Sequence, residues 1–174
     1  HKPDLILHLA AKNNMSSSFE KREIEDNVLI TEHISKVALN TDTPLIFTSS
    51  TSVYASSDKF ITNESNLEQD SKNVYIKTKI IEEEIIATRF NDGLRGSILR
   101  LGTICGSSKG MRFHTAINRF CWQHSLGQSL ELWESAYEQV KPYLGLHDFT
   151  KFLGKNICNV LLDQKIFNIL TCNE

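Results

Sequence analysis

The sequence predicts an α/β protein built on a doubly wound parallel sheet with helices on both faces, and three observations carry that prediction. Short apolar runs of strand length alternate along the chain with longer segments of helical periodicity. The runs are continuously apolar, as strands covered on both faces are. Three of them pass directly into small or polar residues, His8-Leu-Ala-Ala11, Thr48-Ser-Ser-Thr51 and Leu99-Arg-Leu-Gly-Thr103, which such a fold gathers at one rim. Ligands of doubly wound sheets sit at that rim, beyond the carboxyl ends of the strands.

The elements follow in order. Asp4 to Ala10 reads as the first strand. Residues 20–40 place Ile24, Val28, Leu29, Ile34, Val37 and Ala38 at helical spacing, and Pro44 then introduces the strand PLIFTSS. After a polar loop from Ser56 to Asn73, a helix over 74–90 carries Ile76, Ile80, Ile81, Ile85 and Ile86, with Glu82 to Glu84 toward solvent, and Asn91-Asp-Gly93 stops it. Next come a strand from Ser97 to Leu101, a Gly- and Ser-rich loop to Gly110, and a helix from Thr115 to Leu126 ending at Gly127. The remainder reads as a strand at LELW, a segment PYLGL, a helix from Asp148 to Leu162 with Asp148 as N-cap, and a last strand from Ile166 to Leu170.

At 174 residues the chain can enclose a real core, and with 40% hydrophobic residues it is neither disordered nor fibrous. A net charge of −2, with scattered Lys and Arg, provides no basic field for a nucleic-acid backbone, so no nucleic-acid partner is expected. No apolar run approaches the roughly 20 residues that span a bilayer, and the opening HKPDLILHLAA lacks a secretory pattern, so no membrane partner and a cytoplasmic location are expected. Cys105, Cys121, Cys158 and Cys172 show no CxxC or zinc-ligand spacing and read as reduced, mostly buried residues. The six His are equally dispersed, and no metal site is expected.

The stretch NVYIKTKIIEEE places Tyr75 and Lys79 one helical turn apart on the same face. A phenol titrates near pH 10, and a nearby ammonium is the simplest way to stabilise its phenolate for base chemistry. Taken alone, the pair reads more readily as a half-buried tyrosine with a solvated lysine, an arrangement common on amphipathic helices.

Six segments together change that. HLAAK at 8–12, NVLIT at 27–31, FTSSTSVYA at 47–55, YIKTK at 75–79, LRLGTICGSS at 99–108 and KPYLGLHD at 141–148 resemble, in order and spacing, the extended short-chain dehydrogenase/reductase family. Within it the chain is most similar to NAD-dependent nucleotide-sugar epimerases and dehydratases, over essentially its whole length. The resemblance implies a partial Rossmann-type fold: 1–110 as the C-terminal part of a dinucleotide-binding domain with the catalytic residues, and 111–174 as a substrate-binding region interleaved with the last Rossmann elements.

The resemblance further implies that Tyr75 is the catalytic acid/base and that Lys79 lowers its pKa and binds the nicotinamide ribose. Ser50 would hydrogen-bond the reacting sugar oxygen, where otherwise it reads as a turn serine at a strand end. Leu9, Ala10 and Ala11 would line the adenosine and pyrophosphate side of NAD. Thr48 and Leu101 would lie on the cofactor side too, and Asn27 would tie the active-site helix to a neighbouring strand, although the family's Gly is Ile30 here. Thr51, Thr103, Arg112, Lys141 and Tyr143 would face the nucleotide sugar, Lys141 standing where the family has Arg and so lacking the bidentate fork. His147 reads as an uninvolved loop residue.

The Gly-rich turn and the residue that tells NAD from NADP have no counterpart in the chain, which reads as a fragment truncated at both ends and inactive by itself. The reaction expected of the whole enzyme is epimerisation through transient hydride transfer. Dehydratases of the family carry Asp-Glu after the catalytic Ser/Thr, where this chain has Thr51 and Ser52. An NAD(P)-dependent reductase or dehydratase, or an inactive dinucleotide-binding scaffold, are the alternatives. A nucleotide sugar and a second copy of the chain, joined through 20–40 and 74–90, are the expected partners.

Overall fold

The computed structural model describes residues 2–12, 20–54, 67, 71–113, 115–132, 134, 141–157 and 163–171, with side chains of the first helix described from residue 24. Most of the expected polar loop, Trp133, residues 158–162, Cys158 and Cys172 lie outside them.

The elements run β1 (Ile6–His8), α1 (Glu20–Asn40), β2 (Leu45–Ser50), a 3₁₀ turn (Thr51–Val53), α2 (Val74–Asn91), β3 (Gly96–Leu101), β4 (Thr103–Cys105), α3 (Ala116–Ser125), β5 (Tyr143–Gly145), α4 (Leu146–Asn156) and β6 (Asp163–Ile169). Four strands form one all-parallel sheet in the order β1-β2-β3-β6, and β4 pairs with β5, also in parallel.

Alternation along the strands divides the core into two clusters. Leu45, Phe47 and Ile98 pack with Ala38 of α1 and Ile86 of α2 on one face. Ile46, Leu99, Leu101 and Ile169 pack with Leu144 and with Phe149, Phe152 and Leu153 of α4 on the other. The sheet is thus covered on both faces, as its continuously apolar strands require. At the start of β3 the backbone passes so close to β2 that a Cβ on Gly96 would lie 1.8 Å from the Leu45 carbonyl oxygen, and its φ of 153° also suits glycine.

The helices depart from simple amphipathic patterning. On α1 the buried residues include Asn27, Thr31, Ser35 and Ala38, while Leu29 and Val37 are exposed. On α2, Ile80 and Ile86 are buried and Ile81 is partly exposed, but Glu82 and Glu83 are buried as well, at 0% and 4%. Only Glu84 of that acidic triplet faces solvent, contrary to the sequence reading. Both buried carboxylates have cationic partners, Lys79 and Arg100, which is what admits such groups to a core.

Further differences lie toward the C-terminal half. Thr103–Cys105, expected as loop, is β4, and residues 130–132 of LELW are not strand. Asp148 does not cap its helix: α4 starts at Leu146, and the Asp148 carboxylate accepts from the Thr171 hydroxyl at 2.7 Å. β6 begins at Asp163, three residues earlier than expected. Cys105 is half-buried and Cys121 exposed, both free, so neither is the buried core residue that spacing suggested.

Candidate active site

Register fixes the rim. Ser50, the last residue of β2, pairs with Leu101, the last of β3, whereas β1 stops at His8 opposite Phe47. Beyond Ser50 the chain turns, and its hydroxyl accepts the Ser52 N–H at 3.1 Å and donates to the Ser52 hydroxyl at 3.1 Å. Ser50 therefore does serve the turn, and it also faces Tyr75. Thr51 donates to the Leu101 carbonyl at 3.3 Å, joining the ends of β2 and β3.

Asn73 starts α2, its side-chain oxygen accepting the Tyr75 N–H at 2.9 Å. This places Tyr75 in the first helical turn, half-buried above the end of β2. Burial pushes its phenol above the ordinary value; the Ser50 hydrogen bond pulls it back, the Glu82 charge raises it and the Arg112 charge lowers it. One turn on, Lys79 is 4% exposed. Its Nζ donates to the Thr48 carbonyl at 3.2 Å, lies 3.0 Å from Glu82 Oε2, and sits 4.9 Å from the centre of the Phe47 ring. The solvated-lysine reading of the pair does not describe this arrangement.

Thr48 also donates to the His8 carbonyl at 2.9 Å, holding the end of β1. Leu9, Ala10 and Ala11 lie beyond the strand and are exposed, so they are not strand-packing residues. Asn27 brackets the next peptide: its Oδ1 accepts the Lys12 N–H at 2.7 Å and its Nδ2 donates to the Lys12 carbonyl at 2.9 Å. The tie runs from α1, not from the helix that carries Tyr75 and Lys79.

Thr103 and Tyr143 pair across β4 and β5, and Lys141 is exposed two residues before Tyr143. This ribbon joins the main sheet through Gly102 N to Ile169 O at 3.0 Å and Thr171 N to Tyr143 O at 2.9 Å. Arg112 is exposed, but the Asn118 amide and the Thr115 hydroxyl donate to its carbonyl at 3.1 and 3.0 Å, and its charge acts on Tyr75. His147 lies in the first turn of α4, exposed.

Three residues that shape the site carry no signal in the sequence. Asn118, 5% exposed, also accepts the Gly106 N–H at 3.1 Å and so orders the turn after β4. Arg100, 1% exposed, forks onto Glu83 (Nε to Oε1 3.0 Å, Nη2 to Oε2 2.7 Å) and donates to the Tyr54 hydroxyl at 2.9 Å. Thr31 donates to Glu82 Oε1 at 2.7 Å. An expected partner for any one of them requires knowing which strands and helices adjoin.

The residues present fit the nicotinamide-ribose end of a dinucleotide. The Lys79 ammonium has three donors, of which one is directed at the Thr48 carbonyl and one meets Glu82, and the exposed Ala10 and Ala11 carry short side chains beside the same rim.

Solved structures share this fold. A dTDP-glucose 4,6-dehydratase, DesIV, from Streptomyces venezuelae, crystallised with NAD, superposes with a TM-score of 0.77 at 22% identity, covering 95% of this chain and 51% of that one. A UDP-glucuronic acid 4-epimerase from Bacillus cereus, in complex with UDP-glucuronic acid and NAD, gives 0.78 at 18% identity over 98% and 55%. A UDP-N-acetylglucosamine 4-epimerase from Methanobrevibacter ruminantium M1 gives 0.81 at 20% identity over 96% and 55%. The chain thus spans about half the length of the structures it matches. No curated protein sequence matches it. Residues 1–169 match the model of one family, and the chain belongs to it: the NAD dependent epimerase/dehydratase family.

Proposed function

We propose that the whole protein is an NAD-dependent epimerase of a nucleotide-activated sugar, with Tyr75 as acid/base, Ser50 orienting the reacting oxygen and Lys79 supporting both phenol and cofactor. The observation that carries this reading is the convergence of a half-buried phenol, a hydroxyl and a buried ammonium at the carboxyl ends of β2 and β3. Bound NAD would accept a hydride from the carbon that bears the reacting hydroxyl and, as NADH, return it to the opposite face of the ketone. Tyr75, as phenolate, takes the proton of the sugar hydroxyl while Ser50 holds its oxygen. Once the ketone has presented its other face, Tyr75 as phenol returns that proton, so the enzyme ends each cycle as it began. Thr51 and Ser52, which follow Ser50, hold no carboxylate to remove and redeliver the protons of a dehydration, which favours epimerisation over elimination.

In this reading Leu9, Ala10, Ala11, Thr48 and Leu101 face the cofactor, Asn27 fixes the segment beside it, and Thr51, Thr103, Arg112, Lys141 and Tyr143 face the sugar nucleotide. Arg112 is supported by its action on Tyr75. The division at residue 110, a cytoplasmic location and a homodimer belong to the same proposal, the last supported by the exposed Leu29, Val37 and Ile81 on the paired helices α1 and α2. The test is to denature the intact purified protein, identify the nucleotide released, and follow C–H inversion in a panel of sugar nucleotides. Stoichiometric NAD with inversion is the expected result. Binding only of added NADPH assigns a reductase, and binding of neither overturns the enzyme reading and leaves a degenerate fold.

A further inference from the structure

The two buried carboxylates of α2 are employed differently. Glu83 is taken up by the guanidinium of Arg100, away from the phenol chemistry. Glu82, fully buried, stands 3.0 Å from Lys79 Nζ through Oε2, and Thr31 donates to its Oε1 at 2.7 Å. The Thr31 hydroxyl has one proton, and it is used on Glu82; His8 Nε2, 3.3 Å from the same oxygen, must then be the donor, which defines the His8 tautomer. Lys79 donates to the Thr48 carbonyl, and Thr48 donates back to the His8 carbonyl, so the circuit closes through β1, α1, α2 and β2.

A carboxylate in this place opposes the task assigned to Lys79. An ammonium lowers the pKa of a neighbouring phenol only as far as its charge is not cancelled, and Lys79 with Glu82 is a neutral pair. Resting on the function proposed above, we propose that Glu82 is a positioning residue: anchored by Thr31, it fixes Lys79 against Thr48 and offsets the Lys79 charge within the helix that carries Tyr75.

The groups acting on Tyr75 are Ser50 at the end of β2, Glu82 on its own helix and Arg112 before α3, with Lys79 one turn along the same helix; those facing Glu82 are Lys79, Thr31 of α1 and His8 of β1. His8 is kept uncharged because burial lowers its pKa, an effect that Glu82 opposes and Lys79 reinforces. The Glu82 charge acts on Tyr75 in the proposed direction.

The test uses the intact protein and reads the tyrosinate absorbance of Tyr75, taken as the difference from the matching Tyr75→Phe protein, beside the pH profile of kcat/KM. Glu82→Gln is expected to move both midpoints down by about one pH unit, and Glu82→Asp by less. A Glu82→Gln protein whose midpoints stay put or rise overturns the proposal, whatever happens to its stability. Should that variant fail to fold, Lys79→Met combined with Glu82→Gln leaves no unpaired buried charge. Its Tyr75 midpoint is expected near the wild-type value because two opposing effects are removed together, and a rise of about one unit, the loss of Lys79 alone, overturns the proposal. Because the titration needs no turnover, an error in the assigned reaction would leave it intact and would appear separately, as a Tyr75→Phe protein with undiminished activity.

Discussion

Removing the Glu83 charge while keeping Arg100 is the sharpest test of how α2 is held to the sheet. The pair has side-chain exposures of 2% and 5%, with Arg100 Nε 3.0 and 3.3 Å from the two carboxylate oxygens and Nη2 2.7 Å from the second. Glu83→Ala takes from this buried guanidinium the carboxylate that its Nε and Nη2 both meet. Breaking a buried pair from one side costs about 3–5 kcal/mol, a large part of the 5–15 kcal/mol that stabilises an ordinary domain. With a slope of about 1–3 kcal/mol per molar urea, the midpoint should fall by roughly 1–5 M. The double variant Glu83→Leu, Arg100→Met should recover most of this, since it buries no charge, and Tyr54 keeps its hydrogen bond to Asn168 at 2.6 Å. Urea unfolding of the intact protein, followed by fluorescence and circular dichroism, gives both numbers. A loss below about 1 kcal/mol for the single variant, or a double variant no better than the single, would refute the account, because a surface pair behaves in that way.

Three further outcomes follow from the same geometry. Tyr75→Phe should leave the fold unchanged and reduce turnover by roughly a hundred- to ten-thousand-fold, the usual value of a general acid/base, measured as kcat on a sugar nucleotide. His8 is neutral in the fold and its pKa is lowered chiefly by burial, so the unfolded chain binds more protons below pH about 6.5; stability is complete above that value and declines as pH falls toward the lower folded pKa. His8→Gln should flatten that decline in urea midpoints taken across the acid range. Asn27→Ala removes both bonds to the Lys12 peptide, which water can replace, so about 1 kcal/mol of stability should be lost while NAD dissociation, read by calorimetry, becomes several-fold easier.

The boundaries of α1 and α2 were open to a reader of the sequence because apolar periodicity, Pro44 and Asn91-Asp-Gly93 mark them from within the local chain. What those helices bury was not. Periodicity assigns Glu82 and Glu83 to solvent, since their partners Thr31, Lys79 and Arg100 come together only through tertiary packing, and Arg100 hides in a strand that looks merely apolar. β4 escapes for a related reason: Thr103-Ile-Cys has no alternating pattern and becomes strand only by meeting Tyr143 forty residues later. Asp148 resembles a helix cap in isolation, but its carboxylate is directed to Thr171 at the far end of β6. The Tyr75 and Lys79 pair was visible from its spacing, whereas the buried counter-charge beneath it was not.

The unequal lengths of β1 and β2 give the rim a stepped profile. β2 continues for three rungs past the point where β1 ends, a drop of about 10 Å at the usual rise per residue. The lower tread is the exposed segment Leu9 to Ala11, pinned at its far side by Asn27, and the upper tread carries Ser50, with Tyr75 facing it. Thr48 joins the two levels through its bond to the His8 carbonyl, while Asn27 holds the lower one from α1. A substitution at Leu9 to Ala11 thus falls on a segment three rungs below Ser50, just past a strand that carries neither Ser50 nor Tyr75.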